Sequence, residues 1–349
     1  MFNFAFIVPT GIGAAVGGYA GDAGIVVKYL ASQADWVLTH PNAVNAAVFY
    51  EQPPQVQYLE GAYLDGFFLQ EIGFRRVHSQ KIGLVIDRRC EAYLPILENV
   101  VHATALSTGC PIQGYVLTDE PVSLRFVPTP TGYSGEVDNL ETLIAAGQRC
   151  LEQGATALAV LTWMDLLAPH QGDDYLQGGG VDPIGTLEAL ISHALAYELQ
   201  VPLAHSPVFA PEIISQRLDP RVAAEEIGLS YLPCVLKGLH HAPAIVPYAE
   251  SQLKREDLHA VLAPWNAVGG IPMLVAAEHG IPLILVKENH SDLAVTAKDL
   301  RLDLGLNAEA IWLVENYWEA AGLLMALKQG IDPRVLRRPL PPLFRSLRD

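Results

Sequence analysis

The stretch Ala263-Pro-Trp-Asn-Ala-Val-Gly-Gly-Ile-Pro272, continued by a helical pattern and then by Gly280-Ile-Pro-Leu-Ile-Leu-Val-Lys-Glu-Asn-His-Ser-Asp292, decides the fold class. The run 260–262 before it is apolar, the Gly-Gly pair turns the chain into a helix over 272–280, and 283–286 is a second apolar run. Apolar runs without alternation are the mark of strands buried on both faces. Strand, helix and strand in succession make the repeating unit of a parallel sheet. Gly280 followed by Ile-Pro ends the helix in the expected way.

The same pattern continues in both directions. Short apolar runs fall at 4–8, 36–39, 82–86, 115–118, 157–162, 201–204 and 311–314. Helical periodicity fills 15–31, 92–107, 140–153, 184–198 and 317–329. The expected fold is α/β, a mainly parallel sheet with helices on both faces, divided into two lobes. The N-terminal lobe spans 1–150 and carries a Gly-rich loop, and the C-terminal lobe spans 151–335. An extended tail follows over 336–349, because Arg337-Arg-Pro-Leu-Pro-Pro342 cannot continue a helix. The Pro- and Gly-rich stretch 127–135 reads as a linker or active-site loop, and 168–183 as a long functional loop.

Half of the 349 residues are hydrophobic and 17% are charged, which excludes a disordered chain. The net charge of −16, from 22 basic and 38 acidic side chains, argues against nucleic acid and against an anionic membrane as partners. Cys90, Cys110, Cys150 and Cys234 are scattered, so neither a disulfide framework nor thiolate-held zinc is expected. No apolar run approaches the ~20 residues that span a bilayer, and no basic segment precedes residues 4–8. The expected location is therefore cytoplasmic.

Four constellations carry candidate chemistry. In Pro9-Thr-Gly-Ile-Gly-Ala-Ala-Val-Gly-Gly-Tyr-Ala-Gly-Asp22, Gly11 and Gly13 let the backbone approach a ligand, and Asp22 is suited to orient a hydroxyl or bind a metal. The spacing matches neither a dinucleotide nor a P-loop fingerprint. In Thr39-His-Pro-Asn-Ala-Val-Asn45, His40 is a titrating candidate and Asn42 and Asn45 are hydrogen bonders, although Asn42 equally suits a helix cap. In the third, Asn266, Gly269, Gly270 and Asn289 are ligand-binding candidates. Glu288 and His290 suit proton transfer or, with Asp292, a divalent cation. In the fourth, Leu203-Ala-His-Ser-Pro207 and Tyr231-Leu-Pro-Cys-Val-Leu-Lys-Gly-Leu-His-His241, His205 and Lys237 are the catalytic candidates. A parallel sheet gathers such residues where strands end, at a crevice for a ligand.

Taken together, Pro-Thr-Gly-Ile-Gly13, Thr39 to Asn45, Tyr231 to His240 and Trp265-Asn-Ala-Val-Gly-Gly270 resemble an uncharacterised domain-of-unknown-function family common in cyanobacteria. The resemblance covers nearly the whole chain. It implies a cyanobacterial-type cytoplasmic protein and supplies no catalytic residues. The expected function is an enzyme for a small polar or phosphorylated metabolite bound at the carboxyl edge of the sheet. The alternative is a sensor or partner-binding protein using the same cleft, and a homo-oligomer is compatible with either.

Overall fold

The computed structural model describes residues 1–18, 21–45, 52–129, 132–165, 173–182, 184–210, 217–226 and 231–340. In chain order the strands are β1 (Asn3–Phe6), β2 (Trp36–Thr39), β3 (Val56–Tyr58), β4 (Ile72–Arg75), β5 (Ile82–Ile86), β6 (Ile112–Leu117) and β7 (Ser123–Thr129). They continue with β8 (Gly132–Asp138), β9 (Ala157–Trp163), β10 (Leu203–Val208), β11 (Ala244–Pro247), β12 (Ala260–Pro264), β13 (Leu283–Val286) and β14 (Ile311–Val314). The helices are α1 (Gly24–Ala31), α2 (Pro41–Val44), α3 (Gly61–Phe68), α4 (Leu94–Thr108), α5 (Leu140–Glu152) and α6 (Asp173–Leu176). After them come α7 (Gly185–Leu199), α8 (Pro220–Glu226), α9 (Tyr231–His240), α10 (Ile271–His279) and α11 (Tyr317–Lys328).

Two parallel sheets result. The first has the order β14-β13-β12-β1-β2-β3 and the second the order β10-β9-β5-β6. The first sheet joins the beginning of the chain to its end, and the second is made from the middle. Residue 150 lies inside α5, and both sheets take strands from either side of it. The antiparallel ribbon of β4 with β11 pairs the segment that leaves the first sheet with the one that returns to it.

Side chains on the strands alternate between two cores, and each core is shared by both sheets. Phe4 and Phe6 enter one core with Ile82, Leu84 and Ile86, roofed by residues of α1, α4, α9 and α11. Ala5 and Ile7 enter the other with Val85, Leu158 and Val160, roofed by residues of α3, α5, α7 and α10. Continuous burial on both faces is why these strands read as unbroken apolar runs.

Three local expectations are corrected. The helix expected over 15–31 begins only at Gly24, because Gly17, Gly18 and Gly21 adopt left-handed φ of 68°, 52° and 60° and hold the preceding stretch as a loop. The stretch 127–135 is not a linker but part of the β7–β8 hairpin, in which Val127 pairs with Ser134. Pairing continues to Thr129 with Gly132, and residues 130 and 131 lie outside the described residues. Of the long loop at 168–183, residues 168–172 and 183 lie outside the described residues, as do 341–349 of the tail, while residues 173–176 form α6.

Gly238 on α9 shows how tightly the layers close. A Cβ there would lie 2.7 Å from three atoms of the Tyr58 ring on β3. Gly238→Ala is therefore expected to overpack this contact and lower unfolding stability by about 1–3 kcal/mol. Urea unfolding of the two proteins measures this, and equal midpoints would show that the ring can move aside.

Candidate active site

A cleft open to solvent is lined by residues that follow β3 and by a residue of β10, the edge strands of the two sheets. The first sheet contributes Thr10 after β1, His40, Asn42 and Asn45 after β2, and Glu60 and Gly61 after β3. The second contributes Asp182, Glu188, Ser192 and His193 from α7 and its approach, and His205 from β10. Three carboxyl groups and three imidazoles thus face one cleft, and no Lys or Arg is among the described residues lining it.

Glu60 is the most perturbed of these groups. It precedes α3 as its N-cap, and its Oε2 accepts the Ala62 N–H at 2.6 Å, as a capping carboxylate does. Its Oε1 accepts from Ser192 Oγ at 3.1 Å and lies 3.1 Å from His193 Nε2, both on α7. Burial leaves the residue only 4% exposed and pushes its carboxyl up to about 7, against the lowering effect of these hydrogen bonds. Gly61 gives this contact room, because a Cβ there would stand 2.9 Å from His193 Nε2 and displace the ring. His193 is held below the usual imidazole range by partial burial, opposed by the charge of Asp65.

His40 follows β2 and occupies the N-cap position of α2, with Pro41 as the first helical residue. Its Nε2 accepts the Val8 N–H at 3.0 Å, so the neutral ring carries its proton on Nδ1. Burial, and then the proximity of His193, lower its pKa to about 4. A third arrangement runs through His205, whose Nδ1 lies 3.0 Å from Glu188 Oε1 and whose Nε2 lies 2.8 Å from Thr162 Oγ1.

Of the residues expected from sequence, the structure brings His40, Asn42, Asn45 and His205 to this cleft. Asn42 acts as a tether rather than the N-cap, since its Nδ2 donates to the Val8 and Pro9 carbonyls. Asn45 Oδ1 accepts from the Tyr58 hydroxyl at 2.6 Å. Gly11, Gly13 and Asp22 lie in the loop after β1, whose Thr10 and Gly21 line the cleft while these three do not. Gly11 and Gly13 adopt left-handed φ, and the Asp22 carboxyl, raised by burial, accepts the Gly17 N–H.

The remaining candidates are engaged elsewhere and do not line the cleft. Glu288 is exposed, and its Oε1 accepts the Tyr317 N–H at the start of α11. His290 and Asp292 are exposed, and their backbones bond Ala15 and Ile12. The expected cation site at Glu288, His290 and Asp292 is therefore not assembled, and among the described residues no three His, Cys, Asp or Glu are grouped to hold a metal ion. Asn289 clamps Val16, accepting its N–H and donating to its carbonyl. Asn266 likewise pins Ser291. Gly269 and Gly270 lead into α10, and Lys237 lies on α9. The four cysteines are buried free thiols. Sequence reasoning missed Thr10, Glu60, Asp182, Glu188, Ser192 and His193. The spacing of Glu188, Ser192 and His193 on one helix was a usable signal, since residues four apart share a face.

These features define an α/β protein of two parallel sheets with a carboxyl- and imidazole-lined cleft at their junction. The chain belongs to the family described as "Protein of unknown function (DUF3326)", whose pattern matches residues 3–337. It is also similar to an uncharacterized lipoprotein of a Synechococcus species, with 40% identity over 337 residues, 95% of this chain and 92% of that protein. The cyanobacterial family resemblance read from the sequence is thus correct. The cytoplasmic expectation is overturned, because a relative this similar over this much of the chain carries the name lipoprotein. Among the described residues no helix is long and apolar enough to cross a membrane.

Two buried groups of the cleft pull stability in opposite directions with pH. Glu60 is raised from 4.5 to about 7 on folding, so its contribution is full below 4.5 and is lost as pH rises through 7. His40 is lowered from 6.5 to about 4, so its contribution is full above 6.5 and is lost as pH falls through 4. Glu60→Gln should remove only the first. Its stability relative to the wild type is expected to improve by about 3 kcal/mol between pH 4.5 and 7.5. Chemical denaturation across that range tests this, and parallel pH curves for the two proteins would refute it.

Proposed function

We propose that this protein is an enzyme performing general acid–base chemistry on a small, non-anionic polar metabolite bound in the cleft. The observation that carries the reading is Glu60. Its carboxyl titrates near neutrality, and its oxygens are held in place by Ala62 and Ser192 beside His193. A group whose pKa lies near the working pH both gives and takes a proton with least cost, which is what a general acid or base requires.

The lining supports an uncharged or cationic ligand over a phosphorylated one. Asp182, Glu60 and Glu188 face it, with the amides of Asn42 and Asn45 and the hydroxyls of Thr10 and Ser192. Phosphate sites draw on Arg, Lys or helix N-termini; the described lining offers no Arg or Lys, and of the helix starts that border it the one of α3 is already capped by the Glu60 carboxyl. The chain's charge of −16 adds long-range repulsion of anions.

Thermal-shift measurements with neutral cyclitols, sugars and amino sugars, each beside its phosphate ester, test the reading. Stabilisation is expected from the unphosphorylated members, rising to about 2.7 kcal/mol at 100 times the dissociation constant. Glu60→Gln should weaken the effect about tenfold in affinity, the worth of one charge-assisted hydrogen bond. Stabilisation by the esters alone would overturn the choice of ligand. A bound compound recovered unchanged, with no hydrogen exchanged into it from heavy water, would mark a sensor instead of an enzyme.

A further inference from the structure

Helix α7 holds a second carboxyl one turn from the residues that grip Glu60. Glu188 and Ser192 are four apart, so they stand on one face of α7 with their Cβ atoms about 5–6 Å from each other. Ser192 donates to Glu60, and Glu188 receives His205, so two carboxyl–partner pairs are built on one rigid helix beside one cleft. The pairs differ in which member meets the cleft. In the second pair His205 is almost wholly covered, its side chain 2% exposed against 24% for Glu188. Both ring nitrogens of His205 are occupied, Nδ1 by Glu188 and Nε2 by the fully buried Thr162. A carboxylate can only accept, so Nδ1 carries the proton and donates it to Glu188 Oε1, while the Thr162 hydroxyl donates to Nε2. Glu188 Oε2 has no hydrogen-bond partner among the described residues.

We infer that Glu188 is a second working carboxyl of the cleft, the base that complements Glu60 as acid, with His205 as its positioning residue and the acetal C–O bond of a polyhydroxylated metabolite as the bond it acts on. This inference rests on the acid–base reading of Glu60 given above. Two carboxyl groups in one cleft, one buried against Ser192 and His193 and the other part-exposed and bonded to His205, divide the roles of acid and base between them. Glu60 gives its proton to the leaving oxygen as the acetal C–O bond breaks. A water oxygen bonds to the acetal carbon and passes its proton to Glu188. Solvent then carries that proton back, so one water is consumed and both carboxyl groups are restored. His205 touches no substrate in this scheme. It keeps Oε1 occupied and leaves Oε2 directed to the reaction.

A cyclitol epoxide tests the assignment without knowledge of the natural substrate. The Glu188 carboxylate attacks an epoxide carbon, the C–O bond of the ring opens, and its oxygen takes the Glu60 proton, leaving an ester that peptide mass spectrometry locates. One label per chain is expected, on Glu188, at a rate that falls about tenfold per pH unit above 7 as Glu60 ionises. Glu60→Gln should slow labelling at least about tenfold, and Glu188→Gln should abolish it. His205→Asn retains a donor toward Glu188 and should label near the wild-type rate. His205→Leu should lose about tenfold while giving the same circular dichroism spectrum. No label, a label on Glu60 or on surface carboxyl groups, or a rate indifferent to Glu60→Gln would each overturn the inference. If cyclitols bind and Glu60 governs their binding while Glu188 stays unlabelled, only the second carboxyl falls. If Glu60→Gln alters neither binding nor labelling, the acid–base reading itself falls.

Discussion

The hydrogen bond from Ser192 Oγ to the buried carboxyl of Glu60 joins two parts of the chain that fold around different sheets. Glu60 stands at the end of β3, on the edge of the first sheet, and Ser192 rides on α7, which packs against β10 of the second. A carboxyl stripped of water needs partners, or it costs several kcal/mol. Satisfying it draws α7 against α3, leaves little room for a side chain at Gly61 unless His193 shifts, and brings His193 to the cleft. Tyr63, one turn further along α3, continues the joint by donating its hydroxyl to the Ala196 and Val201 carbonyls. The cleft persists because β3 and β10 are edge strands that do not pair with each other.

The class of fold was legible because its strands are buried on both faces, and such strands announce themselves as unbroken apolar runs. The runs at 36–39, 82–86, 283–286 and 311–314 coincide with strands at both ends. The division into two sheets was not legible, since nothing local distinguishes β3, which ends the first sheet, from β5, which enters the second. β3 itself is three residues long, Val-Gln-Tyr, too short to show any period. Helix α3 buries Tyr63, Leu64, Gly66, Phe67 and Phe68, most of its surface, and so lacks the one-sided pattern by which helices are recognised.

The site was half legible for a related reason. His40, Asn42 and Asn45 follow a strand that the sequence showed, and they were found. Glu60 follows a strand that it did not show. The richest polar cluster in the sequence, Lys287 to Asp292, serves a different end: Asn289 takes both backbone groups of Val16, while the backbones of His290 and Asp292 bond Ala15 and Ile12. The crevice between β1 and β12, where the first sheet reverses its direction of growth and where such folds receive ligands, is thus filled by the chain's own loop. Arg221 braces that loop from the other side through the Ala15 carbonyl. The ligand-facing cleft moves one step outward, to the next place where strand ends meet another layer.

The order of strands also dictates an order of events at the ribosome. The second sheet is drawn from one continuous stretch, β5 to β10, and every partner it needs has been synthesised by the end of β10. The first sheet has no such independence, because Phe4 on β1 pairs with Ala260 on β12. Until that late strand arrives, β1 to β3 form a three-stranded fragment with one flank bare, rich in Phe and β-branched residues. A chain built in this way is most open to wrong pairing early in its life. The segment from β1 to β3 therefore waits longest for its partner strand.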